Sequence, residues 1–236
     1  MNTQYKKISE LKSEAREAIC GNLGSTIGAT ILFLLIDLVL TYAAVSVTSS
    51  SSILSTVMYY AIIFLLDLFM GIFVSGRCYM YMNVVYGQPV SSSDLFFGFK
   101  QHPDKAILIQ LVISIISFIC SLPSLIIGLS SSSSTLLMLG LSLLGSIVSI
   151  LITISVSMVF YILQDFPDRP VFSIFKTSMR IMKGNKLRLI GMYISFIPLI
   201  LLGIITFFIP LLWIYSYIQA ATAEFYKNII EVKGNM

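Results

Sequence analysis

Where the positive charge lies constrains this chain more than any other feature. Thirteen of the fifteen Lys and Arg residues fall in three blocks, Lys6–Arg16, Arg77–Lys105 and Arg169–Arg188. Between the blocks run two long apolar stretches. Each is interrupted near its middle by an uncharged serine run, Ser49–Ser52 and Ser130–Ser134. Helical hairpins threaded through a bilayer give this pattern when their basic connections are held on the cytoplasmic side. The expected fold class is therefore all-α: a polytopic helical membrane protein, with helices paired in hairpins and basic elbows between them.

Composition agrees. The chain is 57% hydrophobic and only 11% charged, whereas soluble domains carry about a quarter charged residues. A crossing needs about 20 apolar residues, and Gly24–Val47, Ile53–Ser75, Ala106–Leu129 and Leu136–Leu163 each suffice. The whole of 1–236 reads as one integral membrane domain. Its parts are a cytoplasmic amphipathic helix (1–22), a first hairpin (24–75), a short elbow (91–105), a second hairpin (106–163), a basic elbow (165–188) and a third hairpin (189–226). Both serine tips are expected outside, and both termini inside. The first apolar segment reads as an uncleaved span, because its charged leader is long and Asp37 interrupts it.

The net charge of +4 does not point to nucleic acid, since the cations border membrane segments. It suits the anionic inner leaflet, at about 1 kcal/mol per Lys or Arg near the surface. Membrane lipid is thus the expected partner. Cys20, Cys78 and Cys120 are scattered, with no spacing for a metal site or a disulfide framework. His102 is the one histidine, so a His-based nucleophilic site lacks supporting residues. No catalytic residue, metal or cofactor is expected.

Three amphipathic helices are expected at the interface. The first spans about Gln4 to Cys20, with Ile8, Leu11, Ala15 and Ile19 on one face and Gly21-Asn22 as a left-handed cap. The second begins with Ser93 as N-cap and Asp94 in the first turn, presents Leu95, Phe96 and Phe99, and ends at Pro103. The third, Val171 to Lys183, sets Phe172, Phe175, Met179 and Met182 against Lys176, Arg180 and Lys183, and Gly184-Asn185 closes it. Such faces rest on lipid or pack against the protein's own spans as elbows. The last apolar segment, Leu189–Gln219, is either one long tilted helix or two short spans turning near Phe208-Ile209-Pro210. Pro210 favours the turn, because an interior proline costs a helix about 3 kcal/mol.

Several motifs occur in order along nearly the whole chain. They are Lys12-Ser13-Glu14-Ala15-Arg16 with Gly21-Asn22, then Ser93-Asp94-Leu95-Phe96 with Gly98-Phe99-Lys100. Asp165-Phe166-Pro167-Asp168 precedes Ser178-Met179-Arg180-Ile181-Met182-Lys183-Gly184-Asn185-Lys186. Ser195-Phe196, Tyr217 and Glu224-Phe225-Tyr226 complete the set. In these the chain resembles the bacterial integral membrane proteins grouped as domain of unknown function 975. Leu187 departs mildly from that pattern, which often has an aromatic there. The resemblance implies about six transmembrane helices in three hairpins and no assigned chemistry, and it supports two short spans at the C-terminal end.

Two acids lie inside spans, Asp37 and Asp67. A carboxylate near the bilayer centre costs about 2.5–3.5 kcal/mol on the insertion scale, so both are expected to face the bundle interior or be protonated. If the first hairpin brings them together, one pKa rises, which suits a proton or substrate role. If they instead bond to Thr41, Thr56, Tyr59 or Tyr60, they are interhelical glue. The second polar feature is the basic elbow. Arg169, Lys176, Arg180, Lys183, Lys186 and Arg188 either contact lipid headgroups or a partner, or simply obey the positive-inside rule.

The leading functional expectation is a non-enzymatic inner-membrane protein, carrier-like or accessory, for a small molecule, lipid or peptide. A structural or regulatory subunit of a membrane complex is the alternative, as is protection against, or export of, a membrane-active peptide. An interfacial lipid enzyme lacks the motifs it would need.

Overall fold

The computed structural model describes residues 5–47, 53–129, 135–206 and 208–233. The serine runs expected as outer tips lie outside the described residues. All regular structure within them is helical: α1 (Ile8–Cys20), α2 (Leu23–Val47), α3 (Ile53–Val85), a 3-10 turn (Ser92–Phe96), α4 (Phe97–Lys100), α5 (Pro103–Leu129), α6 (Thr135–Val156), α7 (Val159–Asp165), α8 (Val171–Met182), α9 (Lys186–Ile194), α10 (Ile197–Ile205) and α11 (Ile209–Lys233). Among these residues, five segments are long and apolar enough to cross a membrane: Leu23–Ser46, Val57–Val85, Pro103–Cys120, Leu143–Asp165 and Lys186–Ile205.

The helices pack unevenly along their length. A core gathers the last third of α3, residues 159–163 of α7, and α8, α9, α11 and α1, with Met80, Met158, Ile162, Phe225 and Tyr226 fully enclosed. Away from it, α2, the first half of α3, α6 and α10 leave Leu, Ile and Phe side chains exposed. In water this would be untenable, since soluble monomers rarely expose such contiguous apolar area. In lipid it is the ordinary outer surface. α11 is central: every residue from Ala220 to Tyr226 is buried, so no side of that stretch faces outward.

The three basic blocks meet at one end of this bundle. The Arg188 guanidinium donates to the Lys6 carbonyl, and the Lys105 ammonium donates to the carbonyls of Pro167 and Arg169. The Lys6 amide donates to Asn228 Oδ1 at 3.2 Å, so the described ends of the chain also lie together. Arg77 is the exception: it sits inside α3, eight residues before that helix ends at Val85.

The amphipathic helices act as elbows against the protein itself. α1 buries Leu11, Ala15 and Ile19 against α11, and the Tyr217 hydroxyl donates to the Lys12 carbonyl at 2.8 Å. Its cap differs from expectation, for Gly21 is right-handed at φ −75°. The second elbow is capped by Ser91, not Ser93: Ser91 and Asp94 exchange bonds in a capping box. Pro103 starts α5 instead of only ending α4, as suits its fixed φ and missing N–H. α8 is rotated from the expected face. It buries Ile174, Phe175, Ser178, Ile181 and Met182 and leaves Phe172 and Met179 exposed beside Lys176 and Arg180.

Two apolar stretches break more often than expected. Leu136–Leu163 divides at Ser157-Met158 into α6 and α7, with the Ser157 hydroxyl donating to the Ile154 carbonyl at 2.8 Å. The segment after Leu189 breaks between α9 and α10 and again after Ile205. There Phe208 takes a left-handed φ of 65° and α11 turns back along α10. Gly203 permits that return, since a β-carbon on it would meet Leu211 Cδ2 at 2.5 Å.

Candidate functional site

Helical spacing builds a polar cluster where α2, α3 and α11 meet. Thr26, Thr30 and Phe33 recur at helical intervals on α2; Arg77 and Tyr81 are one turn apart on α3; Tyr215 and Ser216 are adjacent on α11. Thr30 Oγ1 lies 3.0 Å from Ser216 Oγ and 3.4 Å from the Tyr81 hydroxyl, and it donates to the Thr26 carbonyl at 2.9 Å. Thr30, Tyr81 and Ser216 are all buried. Polar groups in such surroundings must bond to one another, and these do.

Arg77 is the charged member. One terminal nitrogen donates to the Tyr215 hydroxyl, and its guanidinium carbon lies 4.5 Å from the centre of the Phe33 ring. Its Nε is buried and has no hydrogen-bond partner among the described residues. No described carboxylate stands within ion-pair distance; the described pairs are Lys6–Glu14 and Lys227–Glu224. An arginine at this depth is costly and normally paired. Here two aromatic faces and a phenol replace the missing anion. Arg77 reads from sequence as the start of a cytoplasmic block. The signal that it is internal was the apolar run Met80-Tyr81-Met82 and Val84-Val85, which continues the helix beyond it.

The two intramembrane acids go separate ways. Asp67 accepts from Gln110 Nε2 at 3.1 Å and from the Ser114 hydroxyl, both on α5. Asp37 is exposed on α2 and has no hydrogen bond or ion pair to a described residue. Met70 and Phe73 pack with Phe33, Ile36 and Leu40, which sets Asp37 level with Phe73. At ~1.5 Å per residue that is about 9 Å along α3 from Asp67. The structure therefore does not bring the two acids together, and Thr41, Tyr59 and Tyr60 are not the described partners of either, while the Thr56 side chain lies outside the described residues.

The basic elbow also divides. Lys176, Arg180 and Lys183 are exposed, near the outward Phe172, Met179 and Leu187. Arg169 stacks on Phe166, 4.0 Å from the ring centre, and Lys186 is half-buried. Arg188 is committed inward, to the Lys6 carbonyl and to Asn228 Oδ1 at 2.9 Å, beside the rings of Tyr5 and Phe225. Lys233 closes the C-terminal end of α8 by donating to the carbonyls of Ile181 and Lys183 at 3.0 Å each. A cation there also complements the helix dipole.

An all-helical chain with five segments long and apolar enough to cross a membrane, basic blocks gathered at one end and a polar seam inside is consistent with the class of multi-pass helical membrane proteins. The particular family follows from comparison with known proteins. A family model described as protein of unknown function (DUF975) matches residues 1–233, and the chain belongs to that family. No curated protein and no solved structure matches it.

Proposed function

We propose that this is a non-enzymatic protein of a bacterial inner membrane, acting as a carrier-like or accessory component that accommodates an anionic group beside Arg77. α11 makes the sixth crossing in this reading, and both termini face the cytoplasm. The observation that carries it is the half-buried Arg77, whose Nε is enclosed without a hydrogen-bond partner and has no described carboxylate within ion-pair distance. A fixed cation in a low-dielectric seam attracts a carboxylate or phosphate far more strongly than one in water. The test is thermal stabilisation of the purified protein in detergent by a panel of small carboxylates, phosphates, lipids and acidic peptides. A ligand that raises Tm in the wild type and not in Arg77→Gln supports the reading. If no anion in the panel shows that dependence, the reading fails.

Asp37 favours a second reading, as subunit of a membrane complex. An outward carboxyl in mid-span leaves a group in lipid that a partner helix would satisfy. Cysteine crosslinking at Leu38 in native membranes would trap such a partner or a second copy. A monomeric band at every crosslinker length counts against it.

A further inference from the structure

The face of α1 turned away from the core lines a cavity that the reading above does not use. The cavity measures about 410 Å³ and is lined by Ile8, Ser9, Lys12, Ser13, Arg16, Ser195 and Tyr217. It lies between α1, the break joining α9 to α10, and α11. None of its lining residues is acidic. The charges of α1 are sorted by helical spacing: Ser9, Lys12, Ser13 and Arg16 face the cavity, whereas Glu10, Glu14 and Glu17 lie on another side. Two of those acids are engaged elsewhere. Glu14 binds the Lys6 ammonium at 2.7 Å, and Glu10 accepts from the Lys7 amide at 3.0 Å.

The donors in the cavity are only partly spent. The Lys12 ammonium donates to the carbonyl and hydroxyl of Ser195 at 3.1 and 3.2 Å and lies 4.2 Å from the centre of the Phe196 ring. An ammonium has three donors, so one remains. Burial pushes this group down from the ordinary lysine range, with no carboxylate to offset it. Arg16 is exposed and makes no described hydrogen bond or ion pair, and the hydroxyls of Ser9 and Ser13 have no described partner. The Tyr217 hydroxyl donates to the Lys12 carbonyl, which stiffens the wall carrying both cations.

We propose that this cavity binds the phosphate headgroup of an anionic phospholipid. Arg16 would grip phosphate oxygens through its fork of donors, with Lys12 and the two serine hydroxyls completing the set. The same chemistry would take a soluble phosphate ester, but the surroundings favour lipid. α10 begins two residues after Ser195 and exposes Ile197, Leu201 and Leu202, an apolar surface on which acyl chains can lie.

The experiment uses the full chain in detergent micelles, with phosphatidylglycerol titrated in and bound lipid counted by native mass spectrometry. Arg16→Glu is the first variant, because an exposed side chain without described partners can change without endangering the fold. Lys12→Gln is the second, and Lys176→Gln with Arg180→Gln is the control on α8. We expect one retained lipid per wild-type chain, affinity lowered about tenfold or more in each α1 variant, and no change in the control. Equal lipid affinity in wild type and Arg16→Glu overturns the proposal. So does stabilisation by inorganic phosphate or glycerol phosphate alone that matches phosphatidylglycerol, which would assign the cavity to a soluble anion.

Discussion

Gly76 and Gly98 face each other where the second elbow docks on α3: a β-carbon on Gly98 would lie 3.1 Å from the Gly76 nitrogen and 2.1 Å from the Ile72 carbonyl oxygen. A β-carbon on Gly76 would in turn stand 2.0 Å from the carbonyl oxygen of Leu95, three residues before Gly98. Backbone meets backbone here, so no side chain can swing aside. Around this notch Phe73 makes edge contacts with Phe96 and Phe99, and Tyr79 stacks on Phe97 with centroids 3.7 Å apart.

Gly76→Ala and Gly98→Ala should each destabilise the protein by about 1–3 kcal/mol or more, the range for overpacking a tight contact. The detergent Tm falls in both. Gly140→Ala, where a β-carbon meets nothing within 4 Å, serves as the neutral comparison. A Tm unchanged by Gly98→Ala would show that the elbow is not seated as described.

Asp67 and Asp37 should respond oppositely to apolar replacement. Asp67→Leu strands Gln110 and Ser114 and costs about 1–3 kcal/mol, while Asp67→Asn keeps an acceptor and loses less. Asp37→Leu removes an outward carboxyl from mid-span and should leave the isolated protein at least as stable. Urea or thermal melts of the purified variants read the difference. Matching losses at the two positions would contradict their separate placement.

Tyr226 holds two distant parts of the chain together. Its hydroxyl donates to Asp165 Oδ2 at 2.5 Å, and its ring stacks on Tyr161 with centroids 5.3 Å apart. Tyr226→Phe keeps the stack and leaves Asp165 without that donor, a loss of about 1.5–3 kcal/mol for a bond to a charged group. Tyr226→Ala should cost more, because it also opens a cavity. Melting both variants separates bond from ring.

Thiol labelling tests orientation and packing at once. Cys20 is exposed and Cys78 is buried. In a Cys120→Ser background, a membrane-impermeant maleimide should modify Cys20 in inverted vesicles and not in intact cells. Cys78 should react only after denaturation. Labelling of Cys20 from outside would reverse the proposed orientation, and reporter fusions at Ser50 and Ser132 would then have to agree.

The motifs that link this chain to its family fall on joints of the fold. Asp165 meets Tyr226, and Asn185 Nδ2 donates to the Ile181 carbonyl at 3.0 Å, closing α8 after the left-handed Gly184. Gly98 fills the notch beside Gly76. α1 and α8 were legible as amphipathic helices because apolar residues recur every three to four positions, but α8 buries a different face from the one its strongest side chains suggested. Phe172 and Met179 stay outside because Ile174 and Ile181 reach the core, and in a membrane protein an outward Phe carries no penalty. Hydrophobic periodicity loses its power to choose a face once the solvent itself is apolar.

Charge and hydropathy along the chain were enough to indicate an all-helical fold with segments apolar enough to cross a membrane and, Arg77 apart, the basic stretches that belong together, because moving a cation into hydrocarbon is costly wherever it occurs. Which polar groups meet was decided only by tertiary packing. Arg77 lies among Phe33, Tyr215 and the Thr30–Tyr81–Ser216 cluster, Asp67 turns to α5, and Asp37 faces out. Those outcomes depend on the rotation and register of helices that touch far apart in sequence, and an apolar helix carries little in its own residues to set either.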